Sequence, residues 1–358
     1  MQPIPCVLMR GGTSKGPFFL AKDLPSQPEE RDEMLISLMG SGHELEIDGI
    51  GGGSPQTSKV AIISPSTHPE ADVDYLFVQV MVNERRVDTA PNCGNMLCAV
   101  GPFAVEQGLV TADDGKTLVR IRNVNTGTLV NSLVDTPNGV VNYEGTASVD
   151  GVPGTSAPVH LTFLDAVGSK TGKLFPTGKV RDVFDGIEVT CIDMAMPMML
   201  VEAEKLGKTG GETPAELDAD TELLKRLENL RLQAGLAMGL GDVSEKVIPK
   251  PVLISRPRHG GTLQVRYFMP HNCHRSLAIT GSIGLATACV SAGSVAAELL
   301  GESALALSQV RLEHPSGGID VALSRSGPEG TLQASVVRTA RRLFSGFVYV
   351  PTPQRLAG

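Results

Sequence analysis

Aromatic residues make up only 4% of this 358-residue chain, and tryptophan is absent. Proteins that hold single-stranded nucleic acid stack bases on aromatic faces, so that platform is missing. A basic excess is missing too: 31 Lys and Arg stand against 39 Asp and Glu, a formal charge of -8. Phosphate-backbone binders carry the opposite balance, and no nucleic-acid partner is expected. No run of about 18 apolar residues occurs, so no helix is expected to span a membrane. Met1–Pro5 carries neither the charged nor the apolar region of a signal peptide. The six cysteines (6, 93, 98, 191, 273 and 289) are too sparse for a disulfide framework. A reduced, cytoplasmic protein is the expectation.

Some chemical signatures are absent as well. No Rossmann glycine fingerprint follows a strand, so a dinucleotide cofactor is not expected. No Gly-x-Ser-x-Gly elbow marks a serine hydrolase. His271-Asn272-Cys273-His274-Arg275 resembles a zinc half-site, but no second cluster completes it, and no metal is expected.

The chain does have glycine in quantity, 40 residues, and 41% hydrophobic against 20% charged residues. That balance describes a globular protein, and the length corresponds to about two domains at roughly 150 residues each. Runs rich in β-branched and aromatic residues predict strands at Val60–Ser64, Tyr75–Val82, Leu118–Val124, Val159–Leu164, Ile187–Ile192, Thr262–Phe268, Thr331–Val337 and Phe347–Val350. Thr213 and Glu216 form a capping-box signature around Pro214, opening an amphipathic helix expected to run to Ala234 and stop at Gly235.

Two further segments, Gly94–Gln107 and Gly281–Ala292, are apolar nearly all round. A helix with no polar face must be surrounded by protein. Each follows or contains a small polar cluster, Asn92-Cys93-Gly94-Asn95 in one and Thr280-Gly281-Ser282 in the other. One such helix in each half suggests an internal duplication, an α/β (α+β) protein of two similar domains with sheet wrapped around a buried helix. The expected division is 1–150 and 151–337, with the C-terminal strand, about 338–358, returning to the first domain.

A helix N-terminus presents unpaired N–H groups and about half a positive charge, and small residues let an anion approach closely. Two such starts aimed into one interdomain cleft would receive a small di- or tricarboxylate. Asn92 and Thr280 would otherwise be ordinary N-caps. Cys93 sits where a helix dipole favours thiolate, whereas Cys98 falls on the apolar face and reads as inert core. The loop Gly51-Gly52-Gly53 leads to Thr57, Ser58 and Lys59 at the lip of an apolar strand. Desolvation there would suit Lys59 to act as a base; the alternative is a solvated edge lysine. Arg10-Gly11-Gly12-Thr13-Ser14-Lys15-Gly16 combines glycines, hydroxyls and cations as a carboxylate clamp does, or as a polar hairpin turn does. His271, His274 and Arg275 stand just ahead of the second helix, suited to substrate carboxylates.

Arg10–Gly16, Asp48–Gly52 with Thr57–Ile62, Asn92–Asn95, His314–Gly317 and Arg338–Leu343 together resemble the 2-methylaconitate isomerase family, over nearly the whole chain. Glu188–Pro197, Gly241–Pro249 and Pro270–His274 are most similar to the 4-oxalomesaconate tautomerases, or Δ-isomerases, within it. The resemblance implies a diaminopimelate-epimerase-like fold with the active site between the domains. It implies a cofactor-independent isomerase with Lys59 and Cys93 as its catalytic pair. Where the epimerases carry a second cysteine this chain has Thr280, so a symmetric two-thiol racemisation does not carry over. The expected reaction is a 1,3-allylic proton shift on 4-oxalomesaconate, in gallate or protocatechuate breakdown. Arg10, Arg275 and the helix starts at Gly94–Asn95 and Gly281–Ser282 would hold the dienolate. The alternatives are a 2-methylaconitate or itaconate-type isomerase and, outside enzymes, a carboxylate-binding protein. The size also allows a homodimer.

Overall fold

Every described strand but one two-residue piece has three or more residues, and most alternate or bury a continuous apolar run, which is what drives their pairing. The computed structural model describes residues 1–164, 166–326 and 331–350, and the chain divides into two units. Unit 1 comprises Met1–Leu161 with the described residues from Arg338 onward; unit 2 is Thr162–Val337. The division therefore falls inside a strand, later than the loop near residue 150 that sequence suggested. Of the expected returning segment, 351–358 lies outside the described residues.

Unit 1 is built from β1 (Gln2–Gly11), β2 (Ser14–Leu20), α1 (Pro28–Met39), β3 (Lys59–Pro65), β4 (Val73–Val80) and the short β5 (Val87–Asp88). The helices α2 (Gly94–Leu97) and α3 (Val100–Glu106) follow, then β6 (Gly115–Asn123), β7 (Leu129–Thr136) and β8 (Pro158–Phe163), which leads into unit 2. Hairpins β1–β2, β3–β4 and β6–β7 are antiparallel, and β2–β3 and β4–β6 join them in parallel. Parallel neighbours need crossover connections. The first crossover carries α1 and the second carries α2 and α3.

Unit 2 repeats this arrangement. After β9 (Asp182–Phe184) come β10 (Ile187–Asp193), β11 (Pro197–Glu202), α4 (Pro214–Ala219), α5 (Thr221–Ala237), β12 (Lys250–Ser255) and β13 (Leu263–Tyr267). Then follow α6 (Ile279–Cys289), α7 (Val295–Leu300), β14 (Gln309–His314), β15 (Gly317–Ser326) and β16 (Thr331–Val350). Hairpins β10–β11, β12–β13 and β14–β15 are antiparallel, joined in parallel through β11–β12 and β13–β14. The first part of β16 pairs with β15 in unit 2, and its last part pairs with β1 in unit 1.

Each unit buries apolar helix surface on both faces of its sheet. In unit 1, Leu35, Leu38 and Met39 of α1 pack with Val60, Ile62 and Val78. In unit 2, Leu223, Leu227 and Leu230 of α5 pack with Val189, Val201 and Leu253. Each such leucine contributes about 1.5–3 kcal/mol by leaving water. The second helix is enclosed: α3 touches β3, β6 and β7, and α6 touches β10, β14 and β15. One helix touches strands that are not all neighbours, β3 with β6 across β4 in unit 1 and β10 with β14 across β11, β12 and β13 in unit 2, so each sheet curls around its helix.

Three helical expectations change. The capping box at Thr213 and Glu216 is present with Pro214 in the first turn, but the helix breaks at Asp220, whose side chain caps a second one. Gly235 does not stop that second helix; it lies within it because a β-carbon there would meet Val243 Cγ2 at 2.4 Å. The segment Gly94–Gln107 is two short helices, interrupted at Cys98 and Ala99. The helix expected from Gly281 begins two residues earlier, at Ile279, with Ala278 as its N-cap.

Candidate active site

In unit 1 the hairpin β1–β2 brings its glycines against two other segments. A β-carbon on Gly11 would lie 2.3 Å from the Asn95 carbonyl oxygen, one on Gly12 2.3 Å from Asn95 Oδ1, and one on Gly16 1.8 Å from the Lys59 carbonyl oxygen. Only glycine permits such approaches, and Gly12 also has a left-handed φ of 49°. Asn95 Nδ2 donates to Thr13 Oγ1 at 3.1 Å. The hairpin Arg10–Gly16 is thus in contact both with the backbone at Lys59 and with Asn95, which follows Cys93 and Gly94.

Lys59 opens β3 opposite Gln79 and is half-buried. Its Nζ donates to Gln79 Oε1 at 2.6 Å and lies 5.1 Å from the Phe77 ring centroid, a cation–π distance. Gln79 is itself fixed, since Nε2 donates to the carbonyls of Ser58 at 2.8 Å and Pro55 at 3.2 Å. The surroundings of Lys59 are therefore an amide and an aromatic face, not the purely apolar strand lip that sequence suggested. Cys93 is buried and is itself the N-cap of α2, with an extended backbone. Its carbonyl accepts from the buried Tyr75 hydroxyl at 3.2 Å and from the Leu97 N–H at 3.0 Å. Gly94 and Asn95 form the first turn that follows it.

Several expected ligands are occupied within the protein. Arg10 Nη1 donates to the carbonyls of Gly12 (3.1 Å) and Thr339 (2.8 Å) and to Thr339 Oγ1 (3.0 Å), and Nη2 to Ser156 Oγ at 3.3 Å. Burial, and in lesser part Arg341, lowers its pKa from the usual arginine range. Arg10 thus braces the hairpin rather than standing open as a clamp. Ser58 is fully buried and its hydroxyl donates to Glu46, while Thr57 Oγ1 pairs with Ser54 Oγ at 2.9 Å. Ser14 is buried in the hairpin opposite Gly11, leaving Thr13 as its exposed hydroxyl. Asn92 is not a cap; its Oδ1 accepts from Asn123 Nδ2 at 2.6 Å. Cys98 is core as expected, with its thiol pushed up to about 12 by burial. Sequence reasoning missed Glu46, Tyr75 and Gln79. Gln79 was legible only through the hairpin register that sets it across from Lys59.

In unit 2, His271 is exposed, its Nδ1 3.8 Å from Glu228 of α5. His274 is half-buried, accepts from the Ser276 N–H at Nδ1 (2.9 Å) and sits edge-on to Tyr267, ring centroids 6.3 Å apart. Burial lowers its pKa. Arg275 is exposed, and its carbonyl accepts from Ser316 of the His314–Gly317 turn. Thr280, Gly281 and Ser282 lie in the first turn of α6, so Thr280 is not its N-cap. Ser282 spends its hydroxyl on the Ile279 carbonyl at 2.7 Å, and Gly281 is required by Tyr267, whose Cε2 would be 2.6 Å from a β-carbon. Among the described residues no group of three or more His, Cys, Asp and Glu could hold a metal ion. No helix among them is long and apolar enough to cross a membrane.

These features have close relatives. A solved methylitaconate Δ-isomerase is 36% identical and superposes with a TM-score of 0.87, covering 98% of this chain and 96% of that one. The 4-oxalomesaconate tautomerase of Pseudomonas putida is 50% identical over 348 residues, 97% of this chain and 96% of the relative. At 13% identity and a TM-score of 0.53, a hydroxyproline epimerase of Agrobacterium vitis shares the fold over 98% of this chain and 94% of its own. The chain is accordingly an isomerase with an epimerase-like fold of two similar units. More particularly, the model for PrpF protein matches residues 1–351, and the chain belongs to that family.

Proposed function

We propose that this isomerase catalyses a cofactor-independent 1,3-allylic proton shift on 4-oxalomesaconate, with Lys59 and Cys93 at the reacting atoms. The observation that supports it most is the assembly of Lys59, Cys93–Asn95 and the glycine hairpin within unit 1. The half-identical tautomerase from Pseudomonas putida favours this substrate among unsaturated polycarboxylates. As a free amine, Lys59 keeps its lone pair while Gln79 Oε1 accepts one of its N–H groups. Nζ takes the allylic proton, the C–H electron pair moves into the conjugated system, and the charge spreads over carbonyl and carboxylate oxygens. Backbone N–H groups at Gly94 and Asn95 face such charge at a helix start. Reprotonation at the far allylic carbon comes from the Lys59 ammonium on the same face or from the Cys93 thiol on the opposite one. This chemistry would place the enzyme in gallate or protocatechuate catabolism. The solved methylitaconate isomerase supports a second reading, the same shift on a substrate without the oxo group.

Proton NMR in D₂O tests both readings. Wild-type protein should convert 4-oxalomesaconate to an isomer with one deuterium at an allylic carbon. Lys59→Met and Cys93→Ala should each lose at least about 10²-fold, the usual scale of acid–base help. Conversion of methylitaconate but not of 4-oxalomesaconate would select the second reading. Full activity in either variant would remove that residue from the mechanism.

A further inference from the structure

Side chains alternate between the faces of strand β4, and Tyr75, Phe77 and Gln79 share one face. All three meet the candidate chemistry of unit 1. The Tyr75 hydroxyl donates to the Cys93 carbonyl at 3.2 Å, the Phe77 ring centroid lies 5.1 Å from Lys59 Nζ, and Gln79 Oε1 accepts from Nζ at 2.6 Å. A side chain holds the middle of this row. β6 pairs with β4 only over Val73–Tyr75. Beyond that point Asn125 takes over, its Oδ1 accepting from the Phe77 N–H at 2.8 Å and its Nδ2 donating to the Phe77 carbonyl at 2.8 Å. The same Nδ2 donates to the Thr89 carbonyl at 2.7 Å, in the segment that leads to Cys93. Gln79 itself lies in the ladder between Lys59 of β3 and Asp88 of β5.

The Gln79 amide has one orientation open to it. Its Nε2 donates to the carbonyls of Ser58 at 2.8 Å, Pro55 at 3.2 Å and Val80 at 3.3 Å. Turning the amide over would set Oε1 against those three acceptors and the NH₂ group against the N–H groups of Lys59. The lysine therefore meets a locked acceptor, held in part by the residues that lead into its own strand. A neutral oxygen accepts an N–H from amine and ammonium alike, whereas a carboxylate in its place would favour the ammonium. With one N–H spent on Oε1, the lone pair of the tetrahedral amine is directed away from Gln79. Fixing a reacting group in this way is a large part of what a protein contributes to rate.

We propose that Gln79 is the positioning residue of Lys59, a locked and neutral acceptor that aims the amine while leaving its lone pair for the substrate proton. The inference rests on the reading above that Lys59 removes the allylic proton. Two substitutions separate its parts: Gln79→Met keeps the length without an acceptor, and Gln79→Glu keeps an acceptor but charges it. With 4-oxalomesaconate, Gln79→Met should lose at least about tenfold in kcat with KM within about threefold, the pattern of a misaimed group rather than of a lost substrate contact. Gln79→Glu should lose at least as much, because its carboxylate would hold Lys59 as the ammonium. A second readout needs no turnover. Trace acetylation of the folded, ligand-free protein with acetic anhydride, read by peptide mass spectrometry against the exposed Lys22, reports the free amine of Lys59. Gln79→Glu should cut that labelling at least about tenfold, whereas Gln79→Met should leave it within about threefold of wild type. Full activity in Lys59→Met would remove only the proton-transfer reading, and Gln79 would then stand or fall on the labelling. Lys59 labelling in Gln79→Glu equal to that of the wild type would overturn the proposal whatever the kinetics. Unchanged kcat in both variants together with a lower melting temperature would make Gln79 a brace of Pro55 and Ser58 and overturn it as well. So would a raised KM at constant kcat, which would place Gln79 on the substrate instead.

Discussion

Glu46 offers the sharpest test of how unit 1 holds its lysine. Its side chain is buried, with Oε2 accepting from the Gly53 N–H at 2.8 Å and Oε1 accepting from the Ser58 hydroxyl. Ser58 precedes Lys59, and its carbonyl accepts from the Val80 N–H at 3.1 Å and from Gln79 Nε2 at 2.8 Å. Gln79 in turn holds Lys59 Nζ. Glu46→Ala therefore removes the acceptor of two donors, the buried Ser58 hydroxyl and the half-buried Gly53 N–H, in one step. Hydrogen bonds to a charged group are worth about 1.5–3 kcal/mol each, so a loss of about 4 kcal/mol is expected. For a domain of this size that is roughly 8–16 °C in melting temperature. Two companion variants sharpen the reasoning. Glu46→Gln, which can still accept one bond and donate another, should lose only about 1 kcal/mol. Glu46 also has a left-handed φ of 47°, so Glu46→Gly, relieved of that strain, should be about 1 kcal/mol more stable than Glu46→Ala. Measured at a temperature where the variant is folded, kcat of Glu46→Ala should fall about tenfold or more, since the lysine loses its fixed geometry. Thermal unfolding and steady-state kinetics read both effects. A Glu46→Ala protein that melts within a degree of wild type and turns over normally would refute the argument.

Arg231 is fully buried, with both Glu228 oxygens at 2.7 Å and the carbonyls of Val243, Lys246 and Ile248 at 2.9–3.1 Å. Arg231→Met should cost about 3–5 kcal/mol in urea unfolding, because it strands Glu228 and three carbonyls; a cost under about 1 kcal/mol would show the network to be dispensable. Burial pushes the thiols of Cys6, Cys98, Cys273 and Cys289 up to about 12, against an ordinary value of 9.0. Native protein at pH 8–9 should therefore leave these four unlabelled by iodoacetamide while urea-unfolded protein labels them, as peptide mass spectrometry will show. The same raised values stabilise the fold fully below pH 9, and that contribution is lost as pH rises from about 9 towards 12, where the unfolded thiols ionise first. Labelling of any of the four in folded protein at pH 8 would contradict their burial.

Much of the fold was readable because strands announce themselves by β-branched runs, and what escaped did so for identifiable reasons. Pro3 and Pro5 argue against a strand at Gln2–Gly11, yet β2 pairs only with Val7–Gly11, so the prolines lie where β1 has just one neighbour, β16. The exposed charges of Arg341 and Arg342 split Thr331–Val350 into two apparent strands, although one continuous strand serves both units. In the site, the glycines of Arg10–Gly16 and the Cys93–Asn95 turn were legible because close backbone approach demands a residue type. The hydroxyls of Ser58 and Ser282 and the guanidinium of Arg10 are engaged within the protein, which composition does not reveal.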